Sequence, residues 1–503
     1  MISDLHLGED LGVEASEQTR RDVAMGANAA CDFLAHLTHR RVDGRPWRLV
    51  VNGDFLDFQA AFVPLSHPGL AGVAELGGTG VTDRLISGAG RVPVASAIRV
   101  DRIAEAHPRV FTALARFLRA GNRIDFVAGN HDREITHPTV AARMRAALVR
   151  GGALAAETTA RVDFHEWFVL EPGVAWIEHG HQYDAQCSFE HGLSPYDGHG
   201  EVIPNVDAAS VRHLGSVAGV DAHSTEEWSF GGYVQHAASL GPRGFVRLVG
   251  GYARFMMGLW RASRIQRGLR QRGRRAADHE RRLAELATER GLSVGELRDL
   301  DGLRRMPVTR NMTRVCRMLM LDRLALLALA LVGAVLVAAI GGWPWGFVGG
   351  VGTLLGGVVG GEAMAGRPPR DPSVALAMIP ERIRRVTHVP VVVFGHTHIP
   401  QEVALPGGGT YVNGGTWLPA IHPGLLRAFT HVVILRGPDG PTVRLRQWRD
   451  GHSRPYVPDV DHGRAVAPSA APAPVAAPLR PAAVVASVAA TVTGRMRAES
   501  RAA

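Results

Sequence analysis

Lysine is absent from all 503 residues, so the 56 basic side chains are arginines and the net charge of +9 is arginine's alone. With the abundance of Ala, Gly and Val, that usage points to a GC-rich bacterial genome more than to a function. The positive balance permits an anionic partner, either lipid head groups or nucleic acid. Cysteine is scarce. Cys31, Cys187 and Cys316 stand far apart with no C-x-x-C, which implies neither a disulfide framework nor a thiolate zinc site and leaves a reducing compartment as the default. A charged-then-apolar leader is missing from the start, so secretion is not expected. No internal repeat is visible, and the length allows roughly two to four domains.

What is present is a series of five short motifs: Asp4-x-His6, Gly53-Asp54-Phe55-Leu56-Asp57, Gly129-Asn130-His131-Asp132, Glu178-His179-Gly180-His181 and Gly395-His396-Thr397-His398. Each offers Asp, Asn or His where a side chain can reach a metal. Together they supply carboxylates, an amide and at least four imidazoles, enough for two divalent cations. Oxygen and imidazole donors without thiolate suit Mn, Fe, Zn or Mg. Four of the motifs follow short apolar, β-branched runs that read as buried strands ending in tight loops (48–51, 123–127, 174–177 and 391–394). Ligands at the carboxyl ends of strands are where open α/β folds build sites.

In content and order these motifs resemble the calcineurin-like metallophosphoesterase superfamily, over residues 1–189 and 386–450. The resemblance implies an α/β fold: a β-sandwich of two mixed sheets flanked by helices, with the site at their shared edge. It implies Asp4, His6 and His398 on one metal, Asn130, His179 and His396 on the other, and Asp54 bridging. His131 would then protonate the leaving alkoxide, with Asp57 fixing its tautomer, and the nucleophile would be a metal-bound hydroxide. His181 competes with His179 as ligand; the family's His-Gly pattern favours His179 and leaves His181 to contact substrate. Asp132 is read as a cap of the following turn or a catalytic group, and Asn413, in Tyr411-Val412-Asn413-Gly414-Gly415, as support for the last histidine loop. In the family several apolar residues form a strand before Asp-x-His, whereas only Met1, Ile2 and Ser3 precede Asp4 here. The expectation is a truncated first strand or a start upstream of this Met.

A basic, largely helical insert is expected over 190–320 and a hydrophobic two-helix membrane hairpin over 321–363. Residues 324–340 carry no polar side chain, and 346–361 only Thr353, each run near the lower end of a membrane helix. Since His179 and His396 flank the pair and share a metal, the chain must return to the side it left, by two crossings or as a shallow re-entrant hairpin. Trp343 and Trp345 would mark the far interface, and Gly352, Gly356 and Gly360 the close-approach face. Arginines on both flanks place the catalytic domain on the cytoplasmic side. Residues 245–264 read as a cationic amphipathic helix that lies on an anionic surface or packs on the core. Residues 284–296 read as a helical hairpin with a Ser293/Glu296 capping box. Residues 59–100 read as loop, and 459–503 as a disordered Ala/Pro-rich tail.

The expected activity is metal-dependent hydrolysis of phosphate mono- or diesters at a membrane, with a lipid-linked phosphoester as a candidate substrate. The opening Ser3-Asp4-Leu5-His6-Leu7-Gly8 is similar to that of the UDP-diacylglucosamine hydrolases of lipid A synthesis. Those enzymes generally lack the histidine that His131 supplies, which places the chain nearer the general phosphoesterases. The alternatives are a nuclease or cyclic-nucleotide phosphodiesterase of the same superfamily and, outside enzymes, a membrane-tethered regulator using the arginine-rich insert. Nucleic acid is the less favoured partner.

Overall fold

The computed structural model describes residues 1–12, 15–63, 94–197, 201–215, 241–318, 321–341, 345–364, 372–419, 421–422, 425–426 and 428–457. Met1–Tyr456 form one compact unit. The expected tail, most of the 59–100 loop and Trp343 lie outside the described residues.

The chain is a mixed α/β protein. Strands β1 (Arg48–Asn52), β2 (Arg123–Val127) and β3 (Val162–His165) pair in parallel. A second sheet holds β4 (Phe168–Glu171), β5 (Ala175–Glu178), β6 (Val391–Phe394), β7 (Gln401–Ala404) and β8 (Thr410–Asn413) in the order β4-β5-β6-β8-β7. Its three central strands are parallel and its two edges antiparallel. After a two-residue pair, β9 (Ile421–His422) and β10 (Leu425–Leu426), the strands β11 (Thr430–Gly437), β12 (Gly440–Arg449) and β13 (His452–Pro455) make an antiparallel meander.

The short N-terminal segment joins the meander to β1. Met1 N donates to Val432 O (2.7 Å) and Val432 N to Met1 O (3.0 Å). Ile2 N donates to Val50 O (3.0 Å), and Asn52 N to Ile2 O (2.8 Å). The segment pairs with the first sheet through isolated bridges, Ile2 to Val51 and Leu7 to Leu56, rather than as a strand.

Val50, Val127, Val169, Ile177, Val391, Val393, Val412 and Val432 form an apolar layer between the two sheets. β-Branched residues suit such a pleated, two-sided burial. Helices cover the outer faces. On the first sheet, α1 (Glu17–Thr38), α2 (Val94–Ala106), α3 (Pro108–Arg119), α4 (Pro138–Arg150) and α5 (Ala155–Arg161) follow one another. Residues 94–100 are therefore helical rather than loop, because Val100 and Ile103 bury into this core.

The insert begins with α6 (Val206–Ser210) and continues with α7 (Gly241–Arg267), α8 (Leu269–Arg290), α9 (Val294–Asp301) and α10 (Met312–Met318). The α8–α9 turn has Gly291 in the left-handed region and the expected capping box: Glu296 N donates to Ser293 Oγ (3.1 Å) and Ser293 N to Glu296 Oε2 (2.8 Å). Leu283, Leu286, Leu297 and Leu300 of this hairpin pack on the second sheet, together with Ile383 of α13 (Pro372–Thr387).

Between α10 and α13 lie α11 (Leu321–Gly341) and α12 (Trp345–Met364), packed along each other. The expectation of two spanning helices is corrected: among the described residues no helix is long and apolar enough to cross a membrane. At 1.5 Å per residue the apolar runs reach only about 24–26 Å, short of the ~30 Å hydrocarbon core. The expected glycine face is corrected too. Among the described residues, a side chain at Gly352 or Gly356 would meet nothing within 4 Å, whereas one at Gly333 would meet Thr353 and one at Gly349 would press on Val337. Gly333, Gly349 and, next to the turn, Gly341 are where the described parts of the two helices leave no room for a side chain.

Candidate metal centre

Four of the five motifs arrive at one place because the parallel strands that carry them end on the same edge, and the isolated bridges Ile2–Val51 and Leu7–Leu56 bring Asp4 and His6 there as well. Asp54 follows β1, Asn130 and His131 follow β2, His179 follows β5 and His396 follows β6. The two sheets are tied together there by Asn52 Nδ2, which donates to Glu178 O (2.8 Å).

Among the described residues, two groups of the expected ligands have their ligand atoms within 4.8 Å of one another, Asp4, His6 and His398, and Asp54, His179 and His396, and a third such group joins His6 to Asp57 and His131. In the first, His398 Nε2 is 3.2 Å from Asp4 Oδ1 and 3.4 Å from His6 Nε2. In the second, His179 Nε2 is 3.1 Å from Asp54 Oδ2 and 3.2 Å from Asn130 Oδ1. Asp54 Oδ2 also lies 3.9 Å from His6 Nε2, so this carboxylate reaches both groups. His181 stays outside them, its ring 5.4 Å from that of His179. Burial, then the cationic neighbours His179, Arg133 and His396, hold its pKa well below the ordinary histidine value.

These donors fit divalent cations. Imidazole nitrogens and carboxylate oxygens face one another at about hydrogen-bond distance, and two of the nitrogens are turned toward each other, an arrangement a shared cation resolves. His179 Nδ1–H donates to Asn52 O (2.9 Å), which directs Nε2 inward. Burial raises the carboxylate pKa values, but the imidazoles outweigh it. His179 and His398 keep Asp4 below its usual range, while His179, His131 and His6 keep Asp54 well below. Conversely, burial opposes the charge on His179, yet Asp54 and Asp4 bring it up to about 9.

The backbone is bent hard around this cluster. Asp4, His6, Asp54, His396 and His398 all have positive φ, between 47° and 70°. Such residues cost roughly 1–3 kcal/mol each and persist only where their surroundings hold them. Several contacts do so. Asp4 O accepts from Thr416 Oγ1 (2.9 Å) and Trp417 N (3.0 Å), and Ser3 Oγ donates to Asp4 Oδ2. Asn413 Nδ2 donates to Gly395 O (2.8 Å), bracing the last histidine loop as expected. Asp132 is not a side-chain cap of the turn that follows it. Instead it accepts from Gly129 N (2.7 Å), Phe55 N (2.9 Å), Asp54 N (3.3 Å) and Leu56 N (3.3 Å), stitching the loops after β1 and β2 together.

His131 N donates to Asp54 Oδ1 (2.9 Å), and its ring stands 4.6 Å from that of His6. Its Nδ1 is 2.9 Å from Asp57 Oδ2, which is also 3.5 Å from His6 Nδ1. Burial opposes the His131 charge, but Asp57, Asp207 and Asp54 raise its pKa well above the ordinary value; His131 in turn keeps Asp57 below the carboxylate range.

Three residues were not anticipated. Asp207, on α6 of the insert, places Oδ2 3.0 Å from His131 Nε2 and 3.0 Å from Asn130 Nδ2. Asp184 Oδ2 lies 3.4 Å from His396 Nε2, and Cys187 joins these two within 4.8 Å. A thiol therefore borders the site although no cysteine spacing announced it. Asp184 had a local signal, three residues beyond His181; Asp207 had none. The chain matches no family model, no curated protein and no solved structure.

Proposed function

We propose that this protein is a dinuclear metallophosphoesterase of the calcineurin-like type, hydrolysing phosphate mono- or diesters while in contact with a membrane. The observation that carries the reading is the reach of Asp54 into both three-residue groups, beside a histidine clasped by a buried aspartate. Two divalent cations held there would neutralise phosphate oxygens and acidify water enough for attack at neutral pH. Asp4, His6 and His398 would hold one, Asn130, His179 and His396 the other, and Asp54 both. Asp57 orients the His131 ring through Nδ1 and favours its protonated form, which leaves Nε2–H to donate to the departing alkoxide. His181, neutral and buried at the rim, would contact substrate.

Membrane contact is supported by the α11–α12 hairpin, which leaves Leu329, Val335, Leu336, Ile340, Trp345 and Phe347 more than half exposed. A continuous apolar surface of this kind is costly in water and marks an interaction site. Too short to span, the hairpin would enter one leaflet, with the flanking arginines drawn to anionic head groups on the cytoplasmic side. That location makes a lipid-linked phosphoester the favoured substrate class.

The test is hydrolysis of a nitrophenyl phosphodiester and its monoester by detergent-purified protein with Mn²⁺, beside Asp54→Asn. Mn²⁺-dependent turnover lost in the variant is expected. Folded, metal-loaded protein inert toward both esters and toward lipid phosphoesters would overturn the reading.

A further inference from the structure

Asp207 Oδ2 sits where two side-chain N–H groups converge, His131 Nε2 and Asn130 Nδ2, each 3.0 Å away. Under the phosphoesterase reading, on which this inference rests, His131 Nε2 is the group that must face the leaving oxygen. A resident carboxylate therefore holds the position of a substrate oxygen, with the charge and hydrogen-bonding geometry of one.

The element that carries it belongs to the insert, not to the sheets. Helix α6 is anchored at its start by Asn205, whose Oδ1 accepts from Ala208 N (2.8 Å) and whose Nδ2 donates to Cys187 O (2.7 Å). Its apolar side, Val206 and Ala209, packs with Phe255 and Leu259 of α7 and Val315 of α10, in a small core separate from those of the catalytic sheets. Helix α10 leads into and touches α11 of the apolar hairpin, while α7 presents Val246, Val249, Met257 and Trp260 to solvent, with Arg264 over the Trp260 ring. The support under Asp207 is thus built from α7, which exposes apolar surface itself, and α10, which touches the apolar hairpin.

We propose that Asp207 is an internal plug of the active site, a stand-in for the substrate's anionic oxygen, and that lipid contact by the hairpin and α7 withdraws it. A small shift of this five-residue helix frees His131 and Asn130 together, because one oxygen occupies both. In the plugged state the affinity for a phosphoester is reduced by the fraction of molecules that are open.

The experiment uses full-length protein, Mn²⁺-loaded, with and without vesicles of mixed anionic and zwitterionic phospholipid. It measures calorimetric binding of inorganic phosphate and KM for the nitrophenyl phosphodiester, in wild type, Asp207→Asn and Asp207→Ala. Bound Mn²⁺ is quantified in each to show that the site is intact. If about one molecule in ten is open, vesicles tighten phosphate binding to wild type roughly tenfold. Asp207→Ala should match that affinity without vesicles and respond little to them, with Asp207→Asn intermediate. Weaker phosphate binding by Asp207→Ala, or a vesicle response equal to wild type, would overturn the plug. Absence of both phosphate binding and turnover in every Mn²⁺-loaded form would instead overturn the phosphoesterase reading itself.

Discussion

Asp57 Oδ2 lies 2.9 Å from Nδ1 of His131, and both side chains are almost completely buried. The pair fixes which face of the imidazole looks into the site. Asp57→Asn keeps the size and loses the charge, so kcat should fall by about 10–100-fold, the usual effect of removing a partner that orients a site histidine. The pH–rate profile separates this from general damage. With the carboxylate gone, the His131 pKa drops and the limb reporting the acid should move to lower pH.

Gly129 has no room for a methyl group. A Cβ there would collide with the Asp54 carboxylate and its backbone nitrogen. Gly129→Ala is expected to displace Asp54 from both ligand groups. Metal analysis of the purified variant should find less than the wild-type Mn²⁺ content, and a variant that binds the full complement would contradict the assigned role of Asp54.

His431 gives the fold an acid sensitivity of its own, away from the metal ligands. Burial, then the amino terminus, Arg446 and His36, hold its pKa at about 3, below the ordinary 6.5. The unfolded chain therefore takes up this proton first. The stability contributed by the neutral ring is complete above about pH 6.5 and is lost progressively as pH falls toward 3. Between pH 7 and 5 this one side chain should cost about 2 kcal/mol. Phenylalanine suits the site between the rings of Phe33 and Trp417. In urea titrations at the two pH values, His431→Phe should show a smaller stability difference than wild type.

The apolar hairpin should govern membrane contact without touching the chemistry. Leu336→Ser, Ile340→Ser and Phe347→Ser combined are expected to abolish co-flotation with anionic vesicles while Mn²⁺ content stays at the wild-type level. Flotation that survives the triple substitution would shift the contact to α7.

The strand-end loops were legible because their chemistry is local. Asp, Asn and His beside a glycine, after a β-branched run, point to a tight turn whose side chains are committed elsewhere. The structure brings Asp4, His6, Asp54, Asn130, His179, His396 and His398 together from that pattern. The left-handed backbone at five of them was not legible, since Asp and His, though several-fold enriched in that region, still adopt it at only a minority of their positions. Asp207 was hidden for a different reason: its link to His131 depends on Val206 and Ala209 finding Phe255 and Val315, packing that no short stretch encodes. Helix α2 was missed because glycines and prolines just before it masked the apolar spacing of Val100 and Ile103. The glycine stripe of α12 was misread, for spacing says which residues share a face but not where the partner helix lies.

His6 and His398 face each other at 3.4 Å although 392 positions separate them in the chain. Neither ligand group can be complete until His396 or His398 has been made, roughly 20–80 s into synthesis at ordinary elongation rates. The apolar hairpin is encoded earlier and leaves the ribosome first. Under the proposed reading, the hairpin would meet lipid before either ligand group could be completed, an order set by the direction of translation alone.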